Sequence, residues 1–155
     1  MRPDQRRGHI IFEASRDSMR TLASAISAVV PYDLFTLLVV DWNDNLVWRA
    51  YSTDAQNYPS GGTKRLMDSP WADQVIHRSQ VFFATTPDQM AAAFSDHAVL
   101  SDLGLHKALN VPIRDAGKTC CSLNLLRRDD AFSANEGYEV LRVFGRWSSK
   151  QLLRK

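Results

Sequence analysis

The chain has 155 residues, of which 45% are hydrophobic and 23% charged, a balance typical of one globular domain and not of a disordered or low-complexity segment. Its formal net charge of +2 is too small to indicate nucleic-acid binding, and no nucleic-acid motif accompanies it. No apolar run approaches the roughly 20 residues that cross a membrane, and residues 8–20 lack the apolar region of a signal peptide. We therefore expect a cytoplasmic protein with reduced cysteines.

The first third of the chain predicts a helix followed by a β-hairpin. Residues 1–7 are expected to form a flexible tail, and residues 8–155 one domain. Apolar residues recur at helical spacing in residues 11–30, and Pro31 ends that helix. Two β-branched and aromatic runs, residues 34–42 and 45–53, flank an Asn-Asp pair, which is typical of a hairpin.

The middle of the chain predicts short elements around a loop. Ser69 followed by Pro70 is a helix start, with serine as the cap and proline at the first position. Trp71, Val75 and Ile76 give this short helix its apolar side. The pattern also predicts a loop, a short strand and two further short helices, at residues 54–69, 81–84, 87–94 and 96–103.

The last third predicts a second hairpin and a long helix. Residues 106–113 and 118–126 flank a turn that ends at Gly117, and we expect Arg114 opposite Lys118. Ser133 and Glu136 have the spacing of a capping box. The inward stripe of the final helix is expected to hold Tyr138, Leu141, Phe144 and Leu152.

The two faces of the second hairpin differ in chemistry. By alternation, one face is apolar and carries Leu109, Val111, Ile113, Cys121, Leu123 and Leu125. The other face holds small or polar residues: Ala108, Asn110, Cys120, Ser122 and Asn124. Asparagine is depleted in strands and costly to bury without partners, so this face is typical of the floor of a covered pocket. The alternative is that the amides bond loop carbonyls and hold a covering segment in place.

The order of several short motifs resembles the GAF domain family. Val111-Pro112-Ile113 ends a strand before the turn, and a small-residue/Leu pattern follows at residues 122–126. Ala131-Phe132-Ser133 with Glu136 is similar to the start of the family's last helix, and Ser69-Pro70-Trp71 to its middle helix. The resemblance covers residues 15–152.

The resemblance implies an α+β fold with a GAF/PAS-like antiparallel sheet of five to six strands. The terminal helices would pack on one face, while short helices and loops roof a pocket on the other. It further implies a sensory or regulatory domain in signal transduction that binds a small molecule and forms a homodimer through its terminal helices. Most family members sit beside an output domain, for which 155 residues leave no room, so we expect a stand-alone domain. The candidate ligand-binding residues are Asn110, Ser122, Asn124, Cys120, Trp71, His97, Phe83 and Trp48.

The specialised branches of the family are not matched, and no cofactor is identified. No cysteine lies on the expected roof, where bilin-binding members carry one, and no haem, cyclic-nucleotide or metal-ligand signature is found. We expect a binding domain and not an enzyme. Two alternatives stay open: a thiol enzyme similar to free methionine sulfoxide reductases, using Cys120, and a ligand-free interaction or dimerisation module.

Overall fold

The computed structural model describes residues 15–153, which form one antiparallel sheet with helices on both faces. The strands are β1 Leu34–Asp41, β2 Leu46–Ser52, β3 Gly61–Arg65, β4 Phe82–Ala84, β5 Lys107–Asp115 and β6 Lys118–Arg127. The α-helices are α1 Arg16–Ser27, α2 Pro87–Ala93, α3 His97–Asp102 and α4 Ala134–Leu153. A π-helical turn, Ala72–His77, is called the roof helix below.

The six strands lie in the order β3-β2-β1-β6-β5-β4, and every neighbouring pair is antiparallel. This confirms the predicted α+β fold class. Within residues 15–153, no helix has the length and apolar character that a bilayer span requires. The predicted tail, residues 1–7, and the first residues of the predicted helix, 11–14, lie outside the described residues.

Helices α1 and α4 cover one face of the sheet, called the helix side. The apolar face predicted for the second hairpin lies here, in one core cluster with Leu22 and Ile26 of α1. Trp147 of α4 joins the two helices, because its Nε1 donates a hydrogen bond to Ser18 O at 3.0 Å. The capping box at Ser133 is present: Ser133 N donates to Glu136 Oε1 at 2.9 Å.

The inward stripe predicted for α4 is wrong in two of its members. Tyr138 is 73% exposed and Leu141 is 39% exposed. Phe144 is buried as predicted, whereas Val140 and Trp147 are buried in place of Tyr138 and Leu141, because their spacing of four and three residues from Phe144 follows the contact line with the sheet. Tyr138 and Leu141 are therefore available for the predicted dimer contact, which stays a prediction; the side chain of Leu152 is outside the described part.

The opposite face, called the roof side, carries two separate apolar clusters. One lies under α2 and α3 and contains Leu34, Tyr58, Met90, Phe94, Leu100, Leu105, Ala108 and Leu126. The other lies under the roof helix and contains Val40, Val47, Val75 and Ile76. Phe82 of β4 packs against both clusters, so they meet at that edge of the sheet.

Two parts of the roof side differ from the sequence prediction. Strand β3 lies within the predicted loop 54–69; all five of its residues are exposed, so they lack the apolar alternation by which a strand is recognised. The turn of the second hairpin has two residues, since Asp115 pairs with Lys118. Arg114 therefore faces Thr119 and not Lys118.

A β-bulge turns Cys120 away from the roof side. Ile113 pairs with Cys121 and Arg114 pairs with Thr119, which leaves Cys120 as the extra residue. Cys121 lies in the helix-side core and Cys120 packs against that same core. The prediction that the two thiols point to opposite faces is therefore wrong, because it assumed a regular strand.

The turn between β5 and β6 gives the first prediction. Ala116 and Gly117 have φ values of 53° and 81°, the type I′ geometry that favours Asn-Gly. We expect Ala116→Asn to raise the free energy of unfolding by about 0.5–1 kcal/mol, because asparagine tolerates a positive φ better than alanine. Gly117→Ala should lower it by about 1 kcal/mol through conformation alone, since a Cβ there meets nothing within 4 Å. Urea unfolding measures both, and a loss for Ala116→Asn would contradict this turn type.

Candidate functional site

A row of polar side chains crosses the roof side between the two apolar clusters. The strand register places Thr36 of β1 beside Asn124 of β6, and Asn124 beside Asn110 of β5. All three side chains are buried. The row is therefore perpendicular to the strands and separates the cluster under α2 and α3 from the cluster under the roof helix.

Hydrogen bonds link the row from end to end. Asn110 Nδ2 donates to Asn124 Oδ1 at 2.7 Å, and Asn124 Nδ2 donates to Thr36 Oγ1 at 3.3 Å. Ser122 Oγ also donates to Asn124 Oδ1, at 2.7 Å. Above the row, Trp71 Nε1 donates to Asn110 Oδ1 at 3.2 Å. These bonds offset the cost of burying two amides and attach the segment before the roof helix to the sheet.

A cavity of about 460 Å³ opens beside this row, over β1, β2 and β3. Its floor includes Thr36 and Asn124, and its apolar walls include Leu38, Trp71 and Phe94. Ala91, Ala92 and Ala93 of α2 and residues 61–67 also line the cavity. The volume is within the roughly 300–1,000 Å³ of small-molecule sites, and mostly apolar walls with a few polar groups are typical of such sites.

Three side chains from two distant parts of the chain meet at one wall of the cavity. Arg49 Nη2 lies 2.9 Å from Asp96 Oδ2, and Tyr58 Oη donates to Asp96 Oδ1 at 2.7 Å. The guanidinium carbon of Arg49 also lies 3.6 Å from the centre of the Tyr58 ring. Burial and the hydrogen bond to Asp96 raise the pKa of Tyr58 above its ordinary value, so the phenol stays protonated.

The structure brings three of the predicted site residues to the cavity. Asn124 lies in the floor and Trp71 in the wall. Trp48 borders the cavity and also packs against the helix-side core. Asn110 and Ser122 are fully buried beside the floor. They do not line the cavity themselves, but both donate hydrogen bonds to Asn124 Oδ1. Each of the two alternatives for the amides applies to one of them. Asn124 lies in the floor of the cavity, and Asn110 is hydrogen-bonded to Trp71 of a covering segment.

The other three predicted residues lie outside the lining. Phe83 pairs with Leu109 and packs against the helix-side core, so its neighbour Phe82 faces the roof side instead. Cys120 is turned to the helix side by the bulge. His97 is exposed at the start of α3, where its Nδ1 lies 3.2 Å from Phe94 O.

The pKa of the Cys121 thiol is raised by its hydrogen bond with Cys120 and by burial. A raised pKa keeps this thiol protonated, whereas nucleophilic cysteines are thiolates. Among residues 15–153, no group of three histidine, cysteine or acidic side chains is arranged to hold a metal ion.

Sequence reasoning missed the charged residues of the cavity, which are Arg49, Lys64, Arg65 and Asp96. Arg49 and Asp96 are 47 positions apart, and no local pattern links them. An arginine in the middle of an otherwise apolar strand, at Arg49, was the one available signal.

Several solved structures that are similar to this chain are GAF domains. The chain is similar to the GAF domain of a two-component sensor histidine kinase from Bacillus halodurans, with a TM-score of 0.66, 14% identity and coverage of 89% of this chain and 95% of that one. It is also similar to a GAF domain/HD domain protein from Geobacter sulfurreducens, with a TM-score of 0.69, 13% identity and coverage of 88% and 91%. A third is the GAF domain of an Acinetobacter phosphoenolpyruvate-protein phosphotransferase, with a TM-score of 0.63, 15% identity and coverage of 96% and 90%.

No protein-family model matches the sequence, and the search of curated proteins gave no match. The chain has the GAF-domain fold, as the motif order at residues 69–71, 111–113 and 131–136 predicted.

The polar row gives the second prediction. Asn110→Leu leaves the half-buried Trp71 Nε1 without its acceptor and removes one of the two donors to the buried Asn124 Oδ1, which keeps its bond from Ser122. We expect the free energy of unfolding to fall by about 2–3 kcal/mol, since a buried polar group left unpaired costs about 1–3 kcal/mol and a lost hydrogen bond about 1 kcal/mol. Ser122→Ala is the matched control: Asn124 Oδ1 keeps its bond from Asn110, so the loss should be near 1 kcal/mol. A neutral or stabilising Asn110→Leu variant in urea unfolding would contradict this account of the row.

Proposed function

We propose that the chain is a sensory domain that binds a small molecule in the cavity over β1, β2 and β3. The observation that carries this proposal is a cavity of about 460 Å³ whose apolar walls surround an amide and a hydroxyl, Asn124 and Thr36. Asn124 Nδ2 has two protons and uses one for Thr36 Oγ1. The second proton is available to an acceptor atom of a ligand.

The similar structures support a sensory role. They include domains of a two-component sensor histidine kinase and a far-red cyanobacteriochrome photoreceptor. A ligand in the cavity would contact Trp71 and the end of α2 as well as the sheet. Binding could then change the position of the covering segments, which is the kind of response that a sensory domain transmits.

The two alternative functions have less support. A thiol enzyme requires an accessible thiolate near its substrate, but Cys120 is not among the residues that line the cavity. A ligand-free interaction module predicts a filled pocket, which the volume above Asn124 argues against. Neither alternative explains why hydrogen-bonding side chains line an apolar cavity.

The third prediction tests the proposal with a thermal-shift screen of small metabolites against the full chain. A ligand that binds the folded state contributes about 2.7 kcal/mol at roughly 100 times its Kd, which is a readily measured shift in Tm. We expect at least one class of compounds to stabilise the protein.

A pair of matched variants locates the binding site. Ala92→Phe places a ring in the cavity lining, while Ala98→Phe adds the same ring to an exposed alanine of α3 outside it. The stabilisation should vanish in Ala92→Phe and persist in Ala98→Phe. Compounds that stabilise both variants equally would bind elsewhere and contradict the proposal, as would a screen in which no compound stabilises the wild type.

A further inference from the structure

The cavity lining has an excess of positive charge. Three of the lining residues are cationic, Arg49, Lys64 and Arg65, whereas Asp96 is its one carboxylate. Asp96 forms an ion pair with Arg49 and accepts the phenol of Tyr58, so its charge is already matched. Two cations, Lys64 and Arg65, are left without a carboxylate among the lining residues.

Both unmatched cations lie on β3, the exposed edge strand beside the cavity. Lys64 pairs with Val47 of the roof-side cluster, whereas Arg65 pairs with Leu46, so the side chain of Lys64 lies on the roof side and that of Arg65 on the opposite face. Lys64 reaches across the mouth of the cavity, because its Nζ donates a hydrogen bond to Ser95 Oγ between α2 and α3. A neutral hydroxyl does not balance the charge of an ammonium group. Within residues 15–153, neither cation forms an ion pair.

The inner part of the cavity has a different character. Its walls are apolar at Leu38 and Trp71, and its floor offers the amide of Asn124. A cleft with low-dielectric walls and an unmatched charge at its entrance, here that of Lys64, attracts ions of the opposite sign. A complementary molecule therefore has an anionic group at one end and an apolar body at the other.

We propose that the ligand is a small organic anion. Its carboxylate or phosphate group binds Lys64 at the mouth, its apolar body packs against Trp71 and Leu38, and Asn124 recognises a polar atom on the body. This inference rests on the proposed function and specifies the ligand class for the same cavity.

The test compares benzoate with benzamide, which has nearly the same shape without the charge, and with phenyl phosphate. NMR titration follows the indole N–H of Trp71 and the side-chain amide of Asn124, both at the cavity. We expect benzoate or phenyl phosphate to bind at least about fivefold more tightly than benzamide, a preference that weakens as salt is added. The tighter of the two anions identifies the anionic group.

Charge-removing variants assign the effect to the mouth. Lys64→Gln should weaken binding of the preferred anion by about three- to fivefold and leave benzamide affinity unchanged. Lys150→Gln removes the same charge from α4, on the helix side of the sheet, and should change neither affinity. Thermal unfolding of the variants verifies that each is folded.

Three results would overturn the inference. The first is that benzamide binds as tightly as both anions. The second is that the Lys64→Gln variant keeps the full preference for the anion. The third is that none of the three compounds shifts the signals of Trp71 and Asn124. The proposed function is judged separately, because its metabolite screen with the Ala92→Phe variant includes neutral and cationic compounds.

Discussion

One hydrogen bond, from the amide of Asn110 to that of Asn124, governs how the roof side of the sheet can pack. Burying two amides in a sheet is costly unless each forms hydrogen bonds. These two bond to each other, and Asn124 also bonds to Thr36 and Asn110 to Trp71. The row that they form interrupts the apolar surface and divides it into two clusters. At the β4 edge Phe82 joins the clusters; over β1, β2 and β3 the space between them remains open as the cavity.

The same row connects the cavity to the segments that cover it. Trp71 borders the cavity and donates to Asn110, so the indole is shared between the proposed ligand and the sheet. On the far wall, Asp96 at the start of α3 holds Arg49 of β2 and Tyr58 of the β2–β3 connection. Both covering segments are thus attached to the sheet by polar contacts at the rim of the cavity. Such contacts are directional and can be exchanged for contacts to a ligand, which suits a sensory role better than a continuous apolar seal.

The sequence allowed prediction of those features that local patterns encode. Alternation along each strand of the second hairpin assigned Asn110 and Asn124 to one face and Leu109 and Leu123 to the other, although the predicted pairing register was wrong. The bulge at Cys120 was not predictable, because an extra residue in a strand leaves no mark in a run of small side chains. Strand β3 was missed because its stability comes from pairing with β2 and not from burial. The Arg49–Asp96–Tyr58 contact depends on tertiary folding alone.

Hydrogen exchange of the Trp71 indole N–H, followed by NMR, tests the central claim most directly. If the polar row closes the inner side of the cavity, the indole N–H is hydrogen-bonded to Asn110 Oδ1. Its proton then exchanges with solvent only when the covering segment detaches from the sheet. We predict exchange at least about fivefold slower than in Asn110→Leu, the factor that corresponds to one hydrogen bond of about 1 kcal/mol. Equal exchange rates in the wild type and in Asn110→Leu would mean that the indole does not bind the row, and the account of the cavity would be wrong.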